Sequence, residues 1–81
     1  MSKNEKIIQK MRDNPRDWRL QSLESIAKRL NIQVRKSGGS HAVFMHEESS
    51  IVVTIPSKRP IKSIYISQFL ALIDDIGHDY D

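Results

Sequence analysis

The spacing of apolar side chains changes twice along this chain, and these two changes constrain its fold most strongly. Up to about residue 30, apolar residues recur every three or four positions, as on the core-facing side of a helix. Between residues 32 and 55 the spacing changes to every second position, as in half-buried strands. From residue 66 the helical spacing returns. The sequence therefore predicts an α+β domain in which helices flank a block of strands.

Three segments carry the helical spacing. The first covers residues 4–13, and Pro15 ends it because the residue before a proline avoids the helical conformation. The second is predicted to begin near Ser22, whose hydroxyl group would cap the helix. The third is predicted over residues 63–76, with Gly77 as its stop. The predicted core-facing stripes are Ile7, Ile8 and Met11 in the first helix, Leu23, Ile26, Ala27 and Leu30 in the second, and Ile66, Phe69, Leu70 and Ile73 in the third.

The alternating block divides into three short strands separated by two connections. The first connection contains Gly38 and Gly39, which supply the positive φ angles of a tight hairpin, and the second, residues 46–50, is a polar turn. Both are too short for a crossover, so we expect a three-stranded antiparallel sheet. Pro56 is predicted to end the third strand because it has no amide hydrogen to donate. The strands are predicted over residues 32–35, 41–45 and 51–55.

Charge is divided unequally along the chain. All 13 Lys and Arg residues lie at or before position 62, so residues 1–62 carry a formal charge of +7 and the remainder carries −4. A basic segment of this kind suits a polyanion such as RNA, or an acidic protein that competes for the same surface. The alternative is a solvated basic face without a specific partner.

Length and residue types exclude several classes of protein. With 81 residues the chain is expected to form one domain, and the absence of cysteine excludes disulfides, thiolate zinc sites and cysteine nucleophiles. No apolar run approaches the roughly 20 residues of a membrane helix, and the N-terminus lacks the apolar core of a signal peptide. We therefore expect a cytoplasmic protein without membrane contact. The histidines are scattered and no carboxylates cluster at ligand spacing, so we expect neither a metal nor another cofactor.

His41 is the first residue of the predicted middle strand and directly follows the glycine turn. Histidine titrates near neutral pH and can pass protons during catalysis. Cleavage of RNA by internal attack requires a base for the 2′-hydroxyl proton, an acid for the leaving oxygen and positive charge near the phosphate. We expect His41 to be the general base and leave the acid unassigned. The basic residues expected to hold RNA beside it are Arg35, Lys36, Lys58, Arg59 and Lys62.

The motif around this histidine resembles that of the HicA family, the toxin ribonucleases of bacterial toxin–antitoxin pairs. The resemblance rests on Gly39, Ser40 and His41 in succession, with an aromatic residue, Phe44, three positions after the histidine. The order of elements supports it: a helix and a strand before the motif, then a strand ending in proline, a basic loop and a closing helix. The resemblance covers roughly residues 18–76, which is most of the chain.

The resemblance implies both a fold and an activity. The fold would be similar to a double-stranded-RNA-binding domain over residues 18–81, preceded by an N-terminal helical extension over residues 1–17. The activity would be that of a metal-independent endoribonuclease that cleaves mRNA and is inhibited by a cognate HicB-type antitoxin. By this comparison His41 is the catalytic residue, and Gly39 and Ser40 shape the turn that presents it.

Other interpretations of the same features remain open. The chain could be a noncatalytic RNA-binding module, or a toxin relative that has lost activity, with the same basic surface. A helix-turn-helix DNA-binding protein is disfavoured because three strands separate the helices. We expect Trp18 and Tyr65, each beside a helix start, to anchor the helices to the core rather than to stack on bases. His46 is expected to lie in solvent at the second hairpin.

Overall fold

The computed structural model describes residues 3–58 and 60–77. Two helices are followed by a three-stranded antiparallel sheet and by a helix that packs against it, which confirms the predicted α+β class. Among these residues, no helix has the length and apolar character needed to cross a membrane. The elements are α1 (Lys3–Asp13), α2 (Leu20–Arg29), β1 (Gln33–Ser37), β2 (His41–Met45), β3 (Val53–Pro56) and α3 (Ser63–Asp75).

The sheet has the order β1-β2-β3, so β2 is central. The turn between β1 and β2 contains Gly38 with φ of 60° and Gly39 with φ of 78°. Both angles lie in the left-handed region, where a side chain would be strained, so the predicted role of the two glycines is confirmed. The tight turn brings Ser37 opposite His41 in the register of the first hairpin.

The two faces of the sheet differ in what covers them. Ala42 and Phe44 of β2 are fully buried, and the Phe44 ring meets that of Phe69 of α3 edge to face at 5.2 Å between centroids. The intervening residues of β2 point to the opposite face. None of the described side chains on that second face is buried, and we call it the open face. Its described residues are Gln33, Arg35, His41, Val43, Met45, Thr54 and Pro56.

Helix α1 belongs to the same hydrophobic core as the rest of the molecule. Ile8 and Met11 are 1% and 0% exposed and lie in one cluster with residues of α2, α3 and the sheet. The Arg12 guanidinium also binds both carboxylate oxygens of Asp74 on α3. The segment that the family resemblance treats as an N-terminal extension therefore packs as an integral part of the described fold.

The predicted boundaries of α2, β1 and β3 differ from those of the structure. Helix α2 begins at Leu20, and Arg19 occupies the N-cap position without a side-chain cap, so Ser22 is not the cap. The earlier start places Leu20, which packs partly buried against the core, in the first turn of the helix. Strand β1 covers Gln33–Ser37 rather than residues 32–35. Strand β3 begins at Val53 rather than residue 51, and Pro56 ends it as predicted.

Candidate active site

His41 lies at the end of the sheet where the glycine turn meets the last residue of β3. It is the first residue of β2 and pairs with Ser37 of β1 on one side and with Pro56 of β3 on the other. Its side chain is on the open face and is exposed. The imidazole is therefore accessible to a ligand from solvent while its backbone is held between two strands.

Ser40 contacts the imidazole directly. Its hydroxyl oxygen lies 3.1 Å from Nδ1 of His41. When Nδ1 carries the proton and donates to this oxygen, Nε2 has its lone pair free to accept a proton. Among the described residues no other side chain forms a hydrogen bond to the ring. Ser40 thus contacts the ring in addition to forming part of the turn, and Nε2 has no hydrogen-bond partner among the described residues.

Ser57, which sequence reasoning did not single out, closes the turn from the β3 side. Its amide donates to the carbonyl oxygen of Ser40 at 2.9 Å. Its hydroxyl donates to the carbonyl oxygens of Gly39 and Ser40 at 3.0 and 3.1 Å. Because His41 pairs with Pro56, antiparallel register places residue 57 opposite residue 40, so the strand pairing was the signal that could have identified Ser57.

Three of the predicted basic residues are exposed, either on the open face near His41 or in the connection from β3 to α3. Arg35 is exposed on the open face, where it pairs with Val43, two residues along β2 from His41. Lys58 and Lys62 are exposed in the connection from β3 to α3. This connection follows Pro56, the strand partner of His41, so its charges lie at the same end of the sheet.

The other two predicted basic residues are not brought to the imidazole by the described structure. Lys36 pairs with Ala42, so it points to the helix-covered side of the sheet, away from the face that carries His41. Its Nζ lies 2.9 Å from Oε1 of Glu24 on α2. Arg59 lies outside the described residues.

A groove of about 340 Å³ borders this end of the sheet. It lies between the β3–α3 connection and the first turn of α3, and we call it the β3–α3 groove. Its lining combines apolar side chains with two lysines. The lining residues are Pro56, Lys58, Pro60, Ile61, Lys62 and Tyr65.

The remaining polar and aromatic candidates have structural roles. His46 lies half-buried at the second hairpin, and its Nδ1 accepts a hydrogen bond from the amide of Glu48 at 3.0 Å. Trp18 and Tyr65 pack against the core as predicted, and the indole of Trp18 donates to the carbonyl oxygen of Asn14. Within the described ranges, no three side chains of His, Cys, Asp or Glu are grouped closely enough to share a metal ion.

Comparison of the chain with protein-family models, with curated proteins and with solved structures finds no match.

Proposed function

We propose that this protein is an endoribonuclease toxin of the HicA type that cleaves mRNA, with His41 as its catalytic residue. The observation that carries the proposal is the placement of His41: exposed at the end of the central strand, with Nδ1 beside a hydroxyl group and Nε2 directed at no other described side chain. The order helix, strand, strand, strand, helix from α2 onward also fits the fold that the resemblance implies. An mRNA substrate would be met in the cytoplasm.

The chemistry would be internal attack on the RNA backbone. His41 Nε2 accepts the proton of a ribose 2′-hydroxyl, and the 2′-oxygen forms a bond to the adjacent phosphorus while the bond to the 5′-oxygen breaks. The leaving 5′-oxygen takes a proton from an acid that we leave unassigned, and water can serve. The products have a 2′,3′-cyclic phosphate at one end and a 5′-hydroxyl at the other. The reaction requires no metal ion in this scheme.

Positive charge around the phosphate would come from the basic side chains near the turn. Arg35 on the open face and Lys58 and Lys62 in the following connection are exposed and can reach phosphate oxygens without first breaking a described ion pair. Lys36 would have to break its ion pair with Glu24 before it could bind a phosphate oxygen.

Expression in a bacterial cell tests the toxin proposal, and a second histidine of the chain, His46, provides a matched control. We expect wild-type protein to arrest growth and deplete mRNA, His41→Ala to abolish both effects, and His46→Ala to retain them, because His46 is engaged in a backbone contact at the other hairpin. Comparable soluble amounts of the three proteins must be confirmed. Growth arrest by the His41→Ala variant would contradict the catalytic assignment.

Inhibition by a HicB-type antitoxin is proposed from the same charge distribution. An acidic partner that covers His41 and Lys58 would occupy the positions where RNA phosphates bind. Co-expression of an acidic protein encoded beside this gene should restore growth, and raising salt from about 50 to 200 mM should weaken the complex. An affinity that does not change with salt would indicate an apolar interface and contradict this account of inhibition.

A noncatalytic RNA-binding module is the second candidate. The observation that favours it is that, among the described residues, the imidazole of His41 contacts a hydroxyl group and no carboxylate that would stabilise its charged form. In that case the wild-type protein binds RNA without cleaving it, and the His41→Ala variant has the same effect on cells as the wild type.

A further inference from the structure

We propose that the β3–α3 groove binds a nucleobase of single-stranded RNA, from the nucleotide next to the phosphate at His41. The proposal deepens the proposed function, on which it rests for the position of that phosphate. Binding of the base does not itself require cleavage, so the two can be tested separately.

The walls of the groove offer flat apolar surfaces to a base. Tyr65 is half-buried, packing against the core while its side chain lines the groove, and Pro56 and Pro60 supply two further rings. Aromatic side chains stack on bases of any sequence because every base has a π-face. The phenolic hydroxyl of Tyr65 has no hydrogen-bond partner among the described residues, so it is available to the polar edge of a base.

Contacts near both ends of the connection that lines the groove join it to the rest of the molecule. Ile61, one of its lining residues, is only 4% exposed, and its amide donates to the carbonyl oxygen of Trp18 at 3.4 Å. On the other side, Ser57 connects the start of the loop to the glycine turn. These two contacts reduce the conformational entropy that the connection loses on binding a ligand.

The rim of the groove is positively charged, which complements the negative phosphates of RNA. Lys58 and Lys62 are exposed, and no carboxylate belongs to the described lining. Neither lysine forms an ion pair with a described residue, whereas Lys36 on the covered side pairs with Glu24. An apolar slot with a cationic rim complements a nucleotide, whose base is flat and whose phosphates are negative.

The position and size of the groove limit the ligand to one base beside the cleavage site. Pro56 is both a lining residue and the strand partner of His41, and neighbouring strands lie about 5 Å apart. A volume of about 340 Å³ is near the lower end of the range of roughly 300–1,000 Å³ for small-molecule sites. The base in the groove would therefore belong to the nucleotide that adjoins the reacting phosphate.

Binding of a short RNA that cannot react tests the stacking contact. The probe is a fluorescently labelled single-stranded oligoribonucleotide whose 2′-hydroxyls are methylated, and polarisation reports its affinity for the full chain. We expect Tyr65→Leu to weaken binding by about fivefold or more, and Tyr65→Phe to bind more tightly than Tyr65→Leu because it keeps the ring. Thermal unfolding confirms that each variant is folded.

Two lysine variants test the charged rim in the same assay. We expect Lys62→Ala to weaken binding and to reduce the slope of log affinity against log salt by about one unit. Lys28→Ala is the matched control, because Lys28 is exposed on α2 and lines none of the described grooves. Equal effects of the two substitutions would overturn the placement of a phosphate at this rim.

A measurement on the wild-type protein does not depend on any variant folding. Titration with the same methylated oligoribonucleotide should shift the amide NMR signals of Ile61 and Tyr65 and leave that of Lys28 in place. Absence of these shifts would overturn the proposal and would favour a protein, instead of RNA, as the ligand of the groove. If His41→Ala abolishes cleavage but folded Tyr65→Leu binds RNA like the wild type, the groove proposal is overturned and the proposed function stands.

Discussion

The hydroxyl group of Ser57 contacts the two carbonyl groups that precede the candidate catalytic histidine. Its oxygen is 3.0 Å from the carbonyl oxygen of Gly39 and 3.1 Å from that of Ser40. A serine here joins β3 to the glycine turn, although it does not touch the imidazole of His41. We therefore assign it a positioning role, distinct from catalysis, in which it fixes the backbone from which the ring projects.

The Ser57→Ala substitution tests that role at the scale of one residue. Loss of a hydrogen bond worth about 1 kcal/mol should lower kcat by roughly two- to tenfold with little change in KM, because the ring is less well oriented while the RNA contacts remain. Steady-state cleavage kinetics check the prediction, with Ser67→Ala, at an exposed position of α3, as control. A change confined to KM would contradict a positioning role.

Some residue-scale features follow from sequence and others do not. The positive φ angles of Gly38 and Gly39 were predictable, because a tight hairpin requires them. The pairing of Lys36 with Glu24 was not, because alternation assigns a strand residue to a face but does not identify its neighbour on a helix. The hydrogen bonds of Ser57 could have been found only by first fixing the register of β3.

At the scale of elements, α1 is attached by apolar burial more than by its ion pair. Ile8 and Met11 are almost completely buried, whereas the Arg12 and Asp74 side chains are 32% and 55% exposed. Exposed ion pairs contribute about 0–1 kcal/mol, while loss of a buried methionine side chain costs about 2–5 kcal/mol. Burial therefore dominates the attachment of this helix.

The Met11→Ala substitution tests whether α1 is part of the cooperative fold. We expect the free energy of unfolding to fall by about 2–5 kcal/mol, since the substitution leaves a cavity where Met11 is 0% exposed. Urea denaturation measures this change, and Lys6→Ala on the exposed side of α1 should alter stability by no more than about 0.5 kcal/mol. A loss below about 1 kcal/mol for Met11→Ala would mean that α1 unfolds independently of the rest.

The elements themselves were largely predictable, and their ends were less so. All residues of the predicted stripes of α2 and α3 and of the predicted buried side of β2 are buried, because burial of one face sets those periods. Leu72 of α3 is also fully buried and was not predicted. The start of α2 was mispredicted because a capping hydroxyl at Ser22 competes with the packing of Leu20, and only tertiary contacts decide between them. Strand β3 begins later than its alternation indicates, and Ile51 and Val52 lie in the connection from β2.

At the scale of the whole molecule, the candidate site forms where distant segments meet at one end of the sheet. The glycine turn, the end of β3 and the start of α3 are each local features, and antiparallel pairing and helix packing bring them together. Of the basic residues expected beside His41, the structure places Arg35, Lys58 and Lys62 at this end or on this face of the sheet, whereas Lys36 lies on the covered side. Sequence reasoning did not predict the β3–α3 groove, because Tyr65 both anchors α3 to the core and lines the groove, and only the assembled fold shows the second role.

Cleavage of RNA by the purified full-length protein tests the central claim most directly. The rate and the chemical ends of the products are measured for wild type, His41→Ala and His46→Ala, each with and without a metal chelator. We expect wild type and His46→Ala to produce 2′,3′-cyclic phosphate and 5′-hydroxyl ends in both conditions. His41→Ala is expected to lose at least about 100-fold in rate, as for removal of a general base. Cleavage by His41→Ala at the wild-type rate would contradict the account.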